Sequence, residues 1–500
     1  MSRESIILAI VVVFYLLSLV IGSAFTRKAS TGFLAFTIAN KQLPWYVIMG
    51  TAFATYAGTV TFMAWPGSAW KGGVNIGWQM FPNGLGVLLC AMFIVPILVR
   101  MSRVTMAEPL GERYSSGVRT VCSALGFART LGSTANQIIG VAIVISLFAG
   151  MNLNAAMIVS WLVLVAYVVL GGQWGVAYAD TFQGLIMILS LVVAPIAIIA
   201  RIGQGSIIEG WNLILKNVPA KHFDMMNIKT NVLIGYLLVQ TFGQMLRPEL
   251  YGRIFAARSA KEGVRGWLIV GMFLPIVLSS AIILGLAARA VIPKLDDAQY
   301  AAPQLFLNYA PMWLLILFIL GILAAGLSTA SSAMMGAANH YVTDFHATFI
   351  NKNMGDKTAV TVTRVSVVVF SLIALWWAVS WKSIIDIFQF SYTVLVGGLL
   401  LPYFGMFFWP RMTTPAAFWS ALVGGGLTIV WKFVVQNYKL VGEPWLSLDP
   451  VVPALVASVI LSVVVSYMTP PEYDKVVKFA ETYGLTSLKQ RALKAMGEVK

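Results

Sequence analysis

Charge is scarce in this 500-residue chain: Asp, Glu, Lys and Arg together make up 11%, against roughly a quarter in a soluble domain. A soluble protein of this length cannot cover its surface with so little charge, which excludes a cytosolic enzyme, a secreted domain and a disordered chain. Cysteine is nearly missing as well. Cys90 and Cys122 are the only two, both in or at the edge of apolar runs, so there is no disulfide framework, no CxxC and no cysteine-built zinc site. The three histidines, His340 and His346 among them, form no HExxH. Strand-like alternation is also absent, which excludes an outer-membrane barrel. What is abundant is apolar: 59% of the residues, gathered into long runs. The fold class expected is an all-α polytopic membrane protein.

Thirteen runs are long enough to cross a bilayer, which takes about 20 residues. They are approximately 5–25, 44–65, 75–99, 119–150, 153–171, 174–201, 229–253, 263–288, 312–339, 363–382, 384–408, 414–436 and 450–468. Arg27 and Lys28 directly follow the first, a stop-transfer pattern rather than a cleaved signal. The net charge of +15 would suggest nucleic acid in a soluble protein. Here the charges lie between spans, so no nucleic acid is expected and the excess reads as topology. Loops on the C-terminal side hold 21 Lys and Arg, the other side 11, and Arg129 and Arg247 lie within spans, completing the 34. The positive-inside rule then puts the N-terminus outside and the C-terminus in the cytoplasm of a plasma (inner) membrane. Residues 1–470 form the transmembrane domain. The tail, 471–500, is too small for a sensor domain and reads as an interfacial amphipathic helix.

Two spans are interrupted at matching positions. The second contains Gly50 and Gly58 among Thr55, Thr59 and Thr61; the seventh contains Gly243 between Gln240 and Gln244, then Arg247 and Pro248. Paired broken helices are the mark of inverted-repeat transporters. Spans 2–6 (44–201) and 7–11 (229–408) would form the two halves, with 5–25 before them and 414–468 after. The alternative is that glycine and threonine only allow close helix packing. In the ninth span, Ser328 and Thr329 follow Ala325 by three and four residues and so share its face. Hydroxyls grouped this way, with carbonyls freed in a facing broken helix near Ala54 and Ala57, suit a small hard cation; back-bonded hydroxyls on a packing face are the alternative. Asp180 lies inside the sixth span, where a carboxylate is costly and by default functional. It could ligate a cation, relay a proton or cap the helix. Glu249 and Asp386 are nearer span ends and are expected to be solvated or capping.

These residues resemble the sodium:solute symporter family, which has the leucine-transporter-like fold. The resemblance covers roughly 5–470. It is carried by LAAGLSTASSAMMGAANHYVTDF in the ninth span, ATYAGTVTFMAWPGSAWKGG in the second and LGGQWGVAYADTFQG in the sixth, in the expected order. The resemblance implies a sodium site built from the carbonyls of Ala54, Ala57 and Ala325 and the hydroxyls of Ser328 and Thr329. It also implies, in some members, a second site on the residue matching Asp180. Ala325 lacks the hydroxyl that site uses, so one Na+ per cycle is expected. The function implied is Na+-coupled symport of a small organic solute by alternating access, with Na+ as coupling ion and the lipid bilayer and the solute as partners. No obligate protein partner is evident, and no enzyme is expected, because no nucleophile–base pair or intramembrane acid cluster is seen. An H+-coupled symporter of the same fold and a transporter-like sensor are the alternatives. Solute-binding candidates are Tyr56, Thr61, Gln79, Gln137, Gln240, Gln244, Gln389 and Tyr392, with Trp65 and Trp78 as an aromatic lid or as interface anchors.

Overall fold

The computed structural model describes residues 3–499. Among them every regular element is a helix, apart from one isolated bridge between Leu43 and Ala257. Among the described residues, nine helices are long and apolar enough to cross a membrane. They carry the third, fourth, sixth and eighth to thirteenth spans. The first and fifth are shorter apolar helices, Ala9–Ser23 and Leu153–Val169. The second and seventh are the broken ones. All thirteen expected spans therefore have a helical counterpart.

Each break has a local cause. The second span runs as helix over Trp45–Tyr56 and resumes at Thr59. Between them Ala57 (φ −91°, ψ 61°) and Gly58 (φ −68°, ψ −173°) leave the helical region. The freed N–H of Thr59 donates to Gln137 Oε1 of the fourth span at 3.0 Å. Irregular backbone survives at membrane depth when buried side chains satisfy it in this way. The seventh span runs over Thr230–Leu246, is extended at Arg247 (φ −63°, ψ 109°) and resumes as Pro248–Phe255. A proline disfavours helical backbone in the residue before it and lacks an N–H, yet suits the first position of a new helix. Tyr251 donates its hydroxyl to Met245 O at 2.8 Å, covering a carbonyl that the break exposes.

The fifth and sixth spans join at Gly172, whose φ of +55° is strained for any other residue. A Cβ there would also lie 2.9 Å from the Phe36 ring. The ninth span lies at the centre: every residue from Gly321 to Asn339 is buried. Its small side chains let the second, fourth and sixth spans approach closely. It continues beyond the expected end at 339 through a wider helix, His340–Ile350. Asp344 is anchored there, accepting from Arg119 Nε (2.7 Å), Ser123 Oγ (2.8 Å) and Thr105 Oγ1 (3.0 Å). Around the rim, Ile276, Leu372, Trp376 and Ile460 point outward, the apolar surface a bilayer would cover.

The tail departs from expectation. It folds into Tyr473–Tyr483 and Thr486–Val499, whose Val476, Phe479, Leu488 and Ala492 are buried against the protein itself rather than left for a lipid interface. Arg103 Nη2 donates to the Tyr483 hydroxyl at 2.7 Å, and that hydroxyl donates to Glu112. The amphipathic face expected to meet lipid has a protein partner.

Topology has a direct test. Cys90 and Cys122 are buried, so an impermeant maleimide added to intact cells has a silent background. Glu209→Cys, exposed between the sixth and seventh spans, is expected to label from outside, and Ser487→Cys, exposed in the tail, only after permeabilisation. The same labelling for both positions would contradict the orientation.

Candidate functional site

Three groups of side chains lie at the breaks. The first is made of oxygen atoms. Ser328 Oγ lies 2.8 Å from Ala324 O within its own helix and 3.0 Å from Ala54 O across the interface. Ala325 O is 3.3 Å from the same hydroxyl. Thr329 Oγ1 is 3.4 Å from Ala54 O and 3.3 Å from Thr55 O. Ala54, Ala325, Ser328 and Thr329 are thus brought together, all fully buried or nearly so. Ala57, three residues on, is the first residue of the break. Carbonyl and hydroxyl oxygens without a carboxylate can bind a monovalent cation reversibly, and among the described residues no cluster of three His, Cys, Asp or Glu offers a transition-metal site.

Next to this lies a charged layer. Asp180 Oδ2 accepts from Thr51 Oγ1 at 2.6 Å and pairs with Arg253 Nη2 at 2.7 Å. Arg253 Nε donates to Thr51 Oγ1 at 2.7 Å, Nη1 to Glu249 O at 2.8 Å, and Nη2 also to Ser332 Oγ. Thr55 Oγ1 lies 3.1 Å from Ser332 Oγ. Asp180 is fully buried, and its cationic partner is a guanidinium of the seventh span. Asp180 and Arg253 tie the second, sixth, seventh and ninth spans together.

The third group of side chains differs from the expectation. Glu249 is buried, not solvated. Its Oε1 lies 2.9 Å from Arg129 Nη2 and 2.9 Å from Arg247 Nε. Arg247 Nη2 donates to Thr55 O at 3.0 Å, joining this layer to the oxygen cluster. Its guanidinium stands 5.0 Å from the Tyr56 ring centre, and that of Arg129 4.0 Å from the Tyr392 ring centre, distances at which a cation is drawn to the ring face. Asp386, by contrast, is exposed in the first turn of its helix, as expected.

The solute candidates divide. Tyr56, Gln240, Gln244 and Tyr392 meet: Tyr392 donates to Gln244 Oε1 at 3.3 Å, Gln244 Nε2 to Gln240 Oε1 at 3.2 Å, and the Tyr56 hydroxyl reaches Gln244 O at 3.5 Å. Gln137 is engaged by the break, accepting from both N–H and hydroxyl of Thr59. Gln79 accepts from Trp65 Nε1 at 2.8 Å. Thr61 is buried with its hydroxyl unpartnered among the described residues. Gln389 stands apart, donating to Asp449 at 3.0 Å in a cavity of about 180 Å³ lined also by Asp386, Thr393 and Lys432. Trp65 is buried beside Phe388, and Trp78 donates to Met225 O at 2.9 Å. Arg129, Arg247, Glu249 and Arg253 are not among the candidates drawn from sequence, yet they line the breaks. The sequence does carry a signal for them: a charge inside a span is a functional hypothesis by default, for Arg129 and Arg247 as much as for Asp180.

Comparison with known proteins agrees with this architecture. The model of the Sodium:solute symporter family matches residues 36–424. The sodium/proline symporter of Haemophilus influenzae is 22% identical over 462 residues, covering 88% of this chain and 90% of that protein. The sodium/pantothenate symporter of Escherichia coli is 24% identical over 450 residues, covering 87% and 90%. A solved structure of a Na+-coupled sialic acid symporter, substrate-bound and outward-open, matches with a TM-score of 0.78 at 17% identity, over 94% of this chain and 98% of that one. These relatives are transporters, not enzymes, and the fold is the leucine-transporter-like one. With a family match that spans well over half of its residues, the chain belongs to the sodium:solute symporter family.

Proposed function

We propose that this protein couples the inward movement of Na+ to the uptake of a small organic solute across the plasma membrane. The observation that carries the reading is the oxygen cluster at the break: Ser328 and Thr329 facing Ala54 and Thr55, buried and without a carboxylate. Its ligand set is Ala54, Ala57, Ala325, Ser328 and Thr329. With Na+ present, both hydroxyls turn their protons away from Ala54 O and Thr55 O and offer lone pairs to the ion. Relatives that carry proline or pantothenate with sodium support the same class.

The two halves are 44–201 and 229–408, each opening on a broken helix. Alternating access follows if Na+ and solute each bind the transport-competent arrangement better than the other one, an effect that is necessarily reciprocal. The solute lies beside the ion, near Tyr56, Gln240, Gln244 and Tyr392. The N-terminus is outside and the C-terminus cytoplasmic. Proton coupling through Asp180 is disfavoured by Arg253: protonating that carboxylate strands a buried guanidinium.

Thermal unfolding of the purified chain tests this. Na+ binds the folded state only, so its chloride should raise Tm over equal KCl, by up to about 3 kcal/mol of stabilisation at a hundredfold excess over Kd. The shift should persist at acidic and alkaline pH. No Na+-specific shift would overturn the reading, and a shift replaced by one with pH would favour the proton.

A further inference from the structure

The charges at the centre do not balance. Arg129, Arg247 and Glu249 are 1%, 3% and 2% exposed, two cations against one anion. Asp180 gives no help, being paired with Arg253. Both arginines share a single oxygen, Glu249 Oε1. Arg247 completes part of its fork on Thr55 O. Arg129 does not: its Nε and Nη1 have no partner among the described residues. It stands over Tyr392, whose hydroxyl leads to Gln244 and on to Gln240, and Gln240 Nε2 is unpartnered too. Among the described residues of this row, the free acceptor is Glu249 Oε2, which belongs to the carboxylate already counted. A buried guanidinium with two idle N–H edges is an expensive arrangement unless something supplies the missing oxygens.

We propose that the solute is an organic anion, a carboxylate, and that Arg129 receives it. This rests on the symport reading and specifies its substrate class. A carboxylate presents two oxygens at the spacing of a guanidinium fork, and the resulting bonds are charge-assisted. It also cancels the surplus positive charge. An uncharged solute leaves the surplus in place, and a cation doubles it. Tyr392 and the glutamines beside it flank the body of the solute. Thr55 also links ion and solute. Thr55 O takes both Arg247 Nη2 at 3.0 Å and Thr329 Oγ1 at 3.3 Å, so Na+ adds its charge to the network that holds the surplus. A monoanion offsets one of these two charges, so it binds more favourably with Na+ present and each ligand favours the other. One Na+ with one monoanion then moves no net charge.

The test uses the purified full chain in NaCl and in equal KCl. The probes are acetate, propionate, lactate, pyruvate and benzoate, each against its primary amide, with proline, glucose and choline as zwitterionic, neutral and cationic controls. At least one carboxylate should raise Tm in Na+ while its amide does not. Arg129→Gln should abolish that response and keep the shift given by Na+ alone. Arg129→Lys keeps the charge opposite Glu249 but loses the fork, and should raise the half-effective concentration roughly tenfold or more. A carboxylate response that survives intact in Arg129→Gln overturns the proposal and makes Arg129 a structural tie. So does a response limited to the controls or amides, or none to any probe. If the Gln form does not fold, an unchanged half-effective concentration in the Lys form overturns it equally. Loss of the Na+ shift in the parent protein is a separate outcome, and it sinks the symport reading instead.

Discussion

Asp180→Asn is expected to destabilise the protein by about 3–5 kcal/mol, the usual cost of removing one partner of a buried ion pair. Arg253 would keep its bonds to Thr51 and to Glu249 O, but the carboxylate at 2.7 Å would be gone. The new amide would turn either its oxygen, which carries no full charge, or its NH2 towards the guanidinium. At 0% and 1% exposure neither group can reach water to compensate. The double variant Asp180→Asn/Arg253→Gln leaves no charge behind and should recover most of the loss, since a buried pair replaced as a unit is often near neutral. Thermal unfolding of parent, singles and double gives the coupling energy directly. A single variant as stable as the parent would show that the pair does not hold the four spans together. If Asp180 instead carried a proton, the double variant would be stable yet unable to accumulate solute under any pH gradient.

The sequence disclosed the spans and both breaks because their causes are local. Gly58 among β-branched threonines and Pro248 after Arg247 act on the backbone of adjacent residues, and the face shared by Ala325, Ser328 and Thr329 follows from helical spacing alone. The partners across helices are a different matter. Asp180 and Arg253 are 73 residues apart, and nothing in either segment names the other. Arg253 also ends an apolar run, where a basic residue reads equally well as a cytoplasmic flank. Glu249 reads as solvated or capping for the same reason: it does lie in the first turn of the helix after the break, but hydropathy does not give the depth of a residue so close to a break. Gln389 failed in the opposite way. It shares a face with Tyr392 by spacing, but one turn along the helix is enough to carry it out of the central cluster and onto Asp449 of a distant loop.

Ser328→Ala and Thr329→Ala should each raise the Na+ concentration for half-maximal stabilisation or uptake by about 10- to 100-fold, the size expected for losing one charge-assisted oxygen contact worth roughly 1.5–3 kcal/mol. The cost to the fold itself is smaller. Ser328 Oγ is back-bonded to Ala324 O, whose other partners remain, so about 1 kcal/mol is expected. The two effects separate on one instrument: Tm in KCl reports the fold, and the added shift in NaCl reports the ion. Thr329→Ser keeps the oxygen and should stay close to the parent; Thr329→Val keeps the shape and should behave as Ala. Unchanged Na+ dependence in both alanine variants would remove the site from these residues. Ala325→Ser supplies the hydroxyl whose lack argued for one Na+ per cycle. It should still leave the ratio of Na+ to solute unchanged, because Arg253 is paired with Asp180 Oδ2 and a second cation at the unpartnered Oδ1 would lie beside that guanidinium. Simultaneous ²²Na and solute flux in proteoliposomes measures that ratio, and a rise on adding the serine would mean that Arg253 leaves Asp180 during the cycle.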